Sequence, residues 1–227
     1  MFNSLVQALN LIYFGDREVF SIAFTSLRLS GASTAICACI AVPLGVLLGL
    51  KSFRGKRIIV IILNSLMALP TVVIGLIIYS FISRSGPLGS LALLFTPWAI
   101  IIGQVVLSLP IITSMVYGAL GKTDRLLPET LITLGAKRKD IFWMTIREGR
   151  IALLSAILAG FGRVIGEVGV SMMLGGNIRW YTRTLTTAIA LETSKGEFEL
   201  GLALGIILML FAFGVNFTLH WLVKHEQ

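Results

Sequence analysis

The feature that most constrains this chain is a series of long apolar stretches. A helix needs about 20 apolar residues to cross ~30 Å of hydrocarbon. Five stretches reach that length, and they lie at about residues 20–50, 58–82, 91–120, 151–175 and 200–223. Charged residues make up only 13% of the chain, about half the share found in soluble domains. We therefore predict an all-α integral membrane protein with five transmembrane helices, numbered here as spans one to five.

Outside these stretches the sequence offers little chemistry. Residues 1–19 carry a shorter apolar stretch; an interfacial helix is one interpretation, and the stretch is too short for a sixth span. It has no basic start before an apolar core, so we expect no cleavable signal peptide. The two histidines, His220 and His225, have no cysteine or carboxylate cluster beside them. We therefore predict no metal site and no catalytic residue.

Lysine and arginine are unevenly distributed between the two sides of the predicted membrane domain. Loops 51–57 and 121–150 and the C-terminal tail fall on one side and hold 12 basic and 5 acidic residues, whereas the other side is balanced at five each. Because basic residues collect in cytoplasmic loops, we predict an N-terminus outside and a C-terminus in the cytoplasm. The net charge of +8 then reflects orientation, and no nucleic-acid partner is expected.

Span four contains two charged residues near its centre, Arg163 and Glu167. Each costs about 2.5–3.5 kcal/mol at the middle of an inserted helix, so span four should face protein or a water-filled cavity. Their spacing of four places them on one helix face, where they can pair. Two interpretations stay open: an internal ion pair that fixes packing or a dimer register, or a polar element beside a solute path, with Arg163 attracting an anion.

Small polar residues near the helix-breaking positions are further candidates for a solute path. Prolines inside or near the ends of the apolar stretches predict kinks. The hydroxyl groups of Thr71, Ser108 and Ser171 lie close to such positions in the sequence and could donate hydrogen bonds to an anion. The alternative for each is ordinary helix packing.

The 30-residue loop 121–150 is too long for a simple turn and too polar to span a membrane. Pro128 can open a helix, and Gly135 lies where a first helix could stop and turn. Basic residues 137–139 follow that turn, and apolar residues continue to Met144. This pattern predicts a short helix-turn-helix at the cytoplasmic membrane face.

The loop also carries a motif. Glu129-Thr130, followed after four residues by Gly135-Ala136, resembles the "EAA" motif of permease subunits in binding-protein-dependent ABC importers. In that family this segment is the coupling helix, which inserts into a groove of the ATPase subunit. The resemblance therefore implies ATPase contacts for Glu129, Thr130, Leu134, Gly135 and Ala136. The usual Leu-Pro ending is absent, and residues 146–150 read Ile-Arg-Glu-Gly-Arg instead.

A second set of motifs is similar to the sulfate, molybdate and tungstate branch of these permeases, and most like its tungstate-type member. The matching segments are Arg163–Gly169, Gly175–Ile178, Thr184–Ile189, Pro70–Gly75 and Ser85–Gly89. The likeness extends from about residue 20 to residue 223. It implies the transmembrane-domain fold of a type I ABC importer, as a single domain over residues 1–227 with a cytoplasmic coupling helix.

The same resemblance implies the partners and the mechanism. A second copy of the chain would complete the pathway within the lipid of a prokaryotic inner membrane. A cytoplasmic ABC ATPase dimer would bind ATP and magnesium, so this chain would hold no cofactor and would not itself be an enzyme. An extracytoplasmic oxyanion-binding protein would deliver the substrate to outer loops, including residues 177–197. Alternating access would then move a tetrahedral oxyanion, with tungstate as the expected substrate.

Two alternatives remain at this point. Within the same class, the chain could be a permease for molybdate, sulfate or another small solute. In a different class, it could be a secondary carrier that needs no ATPase. Such carriers often show internal repeats and ionisable residues on several membrane helices. Here only span four has a central charged pair, and the 30-residue loop would have no purpose.

Overall fold

A computed structural model describes residues 2–51, 53–122, 130–131 and 133–224, and every regular element among them is helical. The α-helices are α1 Phe2–Tyr13, α2 Arg17–Leu50, α3 Lys56–Met67, α4 Thr71–Ile82, α5 Pro97–Lys122, α6 Arg138–Glu148, α7 Arg150–Ile165, α8 Gly169–Gly175, α9 Leu185–Lys195 and α10 Phe198–Lys224. A 3₁₀ turn covers Gly89–Leu91.

The predicted spans correspond to three unbroken helices and two bent pairs. Helices α2, α5 and α10 are each long and apolar enough to cross a membrane. Spans two and four are each divided: α3 and α4 meet at 100°, and α7 and α8 at 63°. Span three begins at Pro97, six residues later than expected, because the 3₁₀ turn precedes it and proline suits the first position of a helix.

Helices α2, α5 and α7 form the centre of the molecule. A Cβ atom on Gly45 of α2 would lie 2.6 Å from Cγ1 of Val116 on α5, so the two backbones approach closely. The same holds for Gly160 of α7 against Ile112 of α5, at 2.6 Å. Close approach through glycine is typical of helix packing in membranes. These contacts surround a buried cluster composed of Cys37, Ala41, Val46, Ile112, Val116, Leu153 and Ala156.

The N-terminal segment packs against the C-terminal helix. Asp16 caps α2 by accepting hydrogen bonds from the amides of Glu18 and Val19 at 2.9 and 3.0 Å. Ala8 of α1 joins a buried cluster with Val19 of α2 and Leu204 of α10. Residues 1–19 therefore contain a 12-residue helix that is held against α10.

Helix α9 lies within the segment 177–197, which the sequence analysis placed among the outer loops. The Thr184 side chain caps its start by accepting from the amide of Thr187, and Gly196 ends it in the left-handed conformation. The amide of Leu185 donates to the hydroxyl of Ser26 on α2. These bonds fix α9 against the body of the protein.

Candidate functional site

The two bent pairs break at the same place in the molecule. Span two breaks before Thr71, the first residue of α4, and span four breaks before Gly169, the first residue of α8. A Cβ atom on Gly169 would lie 3.0 Å from Oγ1 of Thr71. A Cβ on Gly75 of α4 would likewise lie 3.4 Å from Cα of Val170. We call the meeting point of Thr71, Arg163, Glu167 and Gly169 the break junction.

Arg163 and Glu167 pair at the break junction, as their spacing predicted. Arg163 Nη1 lies 2.7 Å from Glu167 Oε2. The Glu167 side chain is only 4% exposed, whereas that of Arg163 is 43% exposed. The second carboxylate oxygen, Oε1, accepts from the amide of Val170 at 3.3 Å. Glu167 thus caps the start of α8, where a negative charge is favourable.

Arg163 retains hydrogen-bonding capacity. Among the described residues, Glu167 is its hydrogen-bonding partner, through one nitrogen. A guanidinium group carries five N–H donors and can grip an oxyanion through two parallel bonds. Because the Arg163 side chain is nearly half exposed, donors remain accessible beside the buried carboxylate. This arrangement can hold an anion while the pair itself stays neutral.

The start of α4 adds donors to the same junction. The amides of Val73 and Ile74 donate to the carbonyl oxygen of Pro70. The amides of Thr71 and Val72 open the helix, so they have no acceptor within it. Helix starts carry partial positive charge, and broken membrane helices present such ends to anionic groups. Thr71 is half-buried at this helix start.

The two remaining candidate residues of the solute path, Ser171 and Ser108, lie in different environments. Ser171 lies on α8, two residues beyond Gly169; its hydroxyl is fully buried and has no partner among the described residues. Ser108 is also fully buried, but it lies on α5 and its hydroxyl donates to the carbonyl oxygen of Gln104 at 2.8 Å. The hydroxyl of Ser108 thus bonds within its own helix, whereas Thr71 lies at the junction.

One residue at the junction was not singled out from the sequence. Thr186 of α9 is buried, and its hydroxyl donates to the carbonyl oxygen of Glu167 at 2.7 Å. That oxygen lies where span four breaks, so it lacks a regular helical partner. The available signal was the concentration of threonine at 182–187, since hydroxyl groups in apolar surroundings bond to backbone groups.

The predicted coupling segment has the turn that the sequence indicated. Glu129 lies outside the described residues. The amide of Leu134 donates to the carbonyl oxygen of Thr130 at 3.0 Å, and that of Ala136 donates to Leu131 at 2.9 Å. Gly135, between them, has φ +78°. This six-to-one bond across a left-handed glycine is the Schellman ending of a helix.

Large apolar side chains in the segment 130–148 are exposed. Leu134 is 77% exposed, and Trp143 of α6 is 67% exposed. Phe142 and Ile146 of the same helix are partly buried and pack against the cluster that contains Val116. Water-exposed surfaces rarely carry groups of large apolar side chains. These exposed residues therefore indicate a surface that contacts another protein or a membrane.

A charged network lies near the start of α9. Glu18 bonds to Arg179, with Nε to Oε1 at 2.8 Å, and lies 3.3 Å from Arg183. Arg183 also lies 3.7 Å from Glu192, which pairs with Lys195 at 3.1 Å. The hydrogen bond that Arg179 donates to Glu18 raises the pKa of Arg179 above its usual value, and the negative charge of Glu18 adds to this effect. These pairs join α2 to the segment around α9.

In the described part of the chain, no group of three histidine, cysteine, aspartate or glutamate side chains is placed to hold a metal ion.

Residues 41–225 match the profile of a protein family described as the binding-protein-dependent transport system inner membrane component. Two similar proteins are tungstate uptake system permease proteins named TupB. The one from Campylobacter jejuni is 40% identical over 99% of this chain and 94% of its own length. The one from Peptoclostridium acidaminophilum is 37% identical over 94% of this chain and 93% of its own length.

A solved structure of the MetNI methionine ABC transporter, in inward-facing conformations, has the same fold. Its TM-score is 0.67 at 18% identity, and the match covers 94% of this chain and 98% of the other. At that identity the likeness concerns the fold alone, which is the transmembrane-domain fold of a type I ABC importer.

Proposed function

The chain belongs to the family of binding-protein-dependent transport system inner membrane components, and we propose that it is the permease through which an ABC importer takes up tungstate. In this proposal two copies form the pathway and alternate between outward-facing and inward-facing states. The chain is a transport component of an ABC importer, and ATP hydrolysis belongs to separate subunits.

The observation that carries the proposal is the break junction. A Cβ atom on Gly169 would lie 3.0 Å from Oγ1 of Thr71 at the start of α4 and 3.4 Å from Oε1 of Glu167, which pairs with Arg163. In this proposal the remaining donors of Arg163 and the amides that open α4 face the same pathway. A tetrahedral oxyanion offers acceptors in several directions, so it suits donors that converge from separate helices. The buried Glu167 carboxylate limits the net positive charge and so prevents the anion from being held too tightly to leave.

Tungstate is proposed over related oxyanions because of the relatives. Both TupB proteins are named for tungstate uptake and cover nearly the whole chain at 37–40% identity. Permeases named for molybdenum and sulfate transport are also similar, at 25–27% identity. Molybdate and sulfate have the same tetrahedral shape, so the three ions are compared directly in the test below.

The energy source in this proposal is a dimer of cytoplasmic ABC ATPase subunits that bind ATP and magnesium. Its docking surface is the segment that ends at Gly135, including Thr130, Leu134 and Ala136 and extending to Glu129. Leu134 supports this role because it is 77% exposed and precedes Gly135, whose φ is +78°. An apolar side chain held in that way can fill a groove on a partner.

The proposed orientation in the membrane follows from the charge pattern. The N-terminus lies outside and the C-terminus in the cytoplasm of a prokaryotic inner membrane, because the basic loops mark the inner side. An extracytoplasmic oxyanion-binding protein delivers tungstate to the outer surface, which includes residues 177–197. Each copy contributes one break junction to the shared pathway.

Reconstitution tests the proposal directly. The chain is placed in liposomes with its ATPase and its binding protein, and uptake of tungstate, molybdate and sulfate is measured with ATP inside. We expect ATP-dependent uptake that prefers tungstate and stops when the ATPase or the binding protein is omitted. Uptake that continues without the ATPase would establish a secondary carrier instead. ATP-dependent uptake that prefers another ion would retain the importer and overturn tungstate as its substrate.

A further inference from the structure

We propose that the cavity between α3 and the end of α5 is a binding site for an anionic phospholipid. The cavity has a volume of about 570 Å³ and is lined by Phe53, Lys56, Arg57, Val60, Ile61 and Tyr117, together with Gly55. The inference requires that the chain spans a membrane, as its family does, and is independent of the transported ion and of the ATPase.

The polar end of the cavity carries concentrated positive charge. Residues 51–57 contain four basic residues and no acidic one. Lys56 is positioned by local contacts: its Nζ donates to the carbonyl oxygens of Lys51 at 3.2 Å and Gly49 at 3.5 Å, and it lies 5.1 Å from the centre of the Tyr117 ring. Arg57 is exposed and has no partner among the described residues. The site therefore offers a positioned ammonium group and an available guanidinium group.

The other end of the cavity is apolar. Val60 and Ile61 lie one helical turn further along α3 than Lys56 and Arg57. The change from basic to apolar lining thus follows the axis of a helix that enters the membrane. A phospholipid has the same order of groups, with a phosphate at the surface and acyl chains below. Basic pockets between membrane helices on the cytoplasmic side recognise anionic lipid headgroups in this manner.

The two ends together select the occupant. A free phosphate ion could use Lys56 and Arg57 but would leave Val60 and Ile61 unoccupied. A zwitterionic lipid could cover the apolar wall, yet its own positive group would lie near the basic residues. An anionic phospholipid such as phosphatidylglycerol satisfies both ends.

The chain provides matched controls for each end. Arg54 belongs to the same basic segment as Arg57 and is exposed, but it does not line the cavity. Ile62 is as exposed as Ile61, at 51% and 54%, and it also lies outside the lining. Arg57→Gln is therefore compared with Arg54→Gln, and Ile61→Trp with Ile62→Trp.

The experiment measures phosphatidylglycerol binding to the purified full-length chain in detergent by native mass spectrometry, with phosphatidylcholine and inorganic phosphate as the other probes. We expect a saturable phosphatidylglycerol site that phosphatidylcholine does not fill. Arg57→Gln should weaken it roughly five-fold, the factor that corresponds to one basic residue near a lipid phosphate. Arg54→Gln should weaken binding less than Arg57→Gln does, because Arg54 lies outside the cavity lining. Ile61→Trp should weaken binding by filling the apolar wall, whereas Ile62→Trp should not.

Three results would overturn the proposal. Equal losses in Arg57→Gln and Arg54→Gln would mean that the basic loop attracts lipid without a defined site. Displacement of phosphatidylglycerol by millimolar inorganic phosphate would mean that only the phosphate is bound. Unchanged binding in Ile61→Trp would show that the lipid does not enter the cavity. Circular dichroism and gel filtration of each variant exclude misfolding as the cause of a loss.

Discussion

The hydroxyl of Thr186 donates a 2.7 Å hydrogen bond to the backbone carbonyl oxygen of Glu167. This bond connects α9 to the break in span four. It satisfies a carbonyl oxygen that the broken helix leaves without a regular partner, and both residues are buried. Thr186, from a separate helix, therefore bonds to the backbone of the residue whose side chain pairs with Arg163.

Removal of that hydroxyl should destabilise the break junction. Thr186→Val keeps the shape of the side chain but leaves a buried carbonyl oxygen unsatisfied, at a cost of about 1–3 kcal/mol. Thr186→Ser keeps the donor and serves as the matched control. Thermal unfolding in detergent should show a lower midpoint for the valine variant only. Equal midpoints for the two variants would show that the bond contributes nothing.

The Arg163–Glu167 pair should respond asymmetrically to the loss of either charge. Arg163→Gln leaves a carboxylate that is 4% exposed without its charged partner, which is strongly destabilising for a buried group. Glu167→Gln leaves an arginine that is 43% exposed and can be solvated. We expect the first variant to lose roughly 1–2 kcal/mol more stability than the second. Denaturant titration in detergent measures the difference, and the reverse order would contradict the assigned burial.

Glycine at position 135 should be needed for ATPase docking and not for insertion. Its φ of +78° is unfavourable for other residues by about 1–2 kcal/mol, and a Cβ there would meet nothing within 4 Å. Gly135→Val should therefore distort the turn without a clash, and it should reduce co-purification of the ATPase. Gly135→Asn, which tolerates this conformation better, is the control. Normal ATPase recovery with Gly135→Val would count against the coupling role.

Close packing of α2 on α5 predicts that alanine is tolerated at Gly205 but not at Gly45. A Cβ on Gly45 would lie 2.6 Å from Val116 Cγ1 and 3.0 Å from the carbonyl oxygen of Thr113, whereas one on Gly205 of α10 would meet nothing within 4 Å. Gly45→Ala should cost about 1–3 kcal/mol through overpacking. Gly205→Ala should be neutral or slightly stabilising, since alanine favours helix. Unfolding midpoints of the two variants test this directly.

Much of the fold could be predicted because it depends on residues that are close together in the sequence. Apolar stretches indicate which segments enter the membrane, and Pro70 marks where span two is interrupted. The 100° angle between α3 and α4 could not be read in the same way. That angle depends on α8 packing along α4 at Gly75, a contact between residues far apart in the sequence.

The residues of the site likewise include some that the sequence predicts and some that only the tertiary packing identifies. Arg163 and Glu167 are four residues apart on one chain segment, so their pairing follows from helix geometry. Thr71 and Ser108 looked equivalent as hydroxyl groups near prolines. Only the packing distinguishes them, because Thr71 contacts the second break whereas Ser108 bonds to its own helix. Thr186 was missed because its acceptor is a backbone group of another segment.

The central claim is that the break junction lies on the path of the anion. The most direct test is ATP-dependent tungstate uptake by the double variant Arg163→Gln, Glu167→Gln, which removes both charges and so avoids an isolated buried carboxylate. We predict normal association with the ATPase and stability near that of the wild type. Uptake should fall by about ten-fold or more, since a charge-assisted hydrogen bond to the anion is worth about 1.5–3 kcal/mol. Wild-type uptake rates in this double variant would show that the pair serves packing alone and would contradict the account.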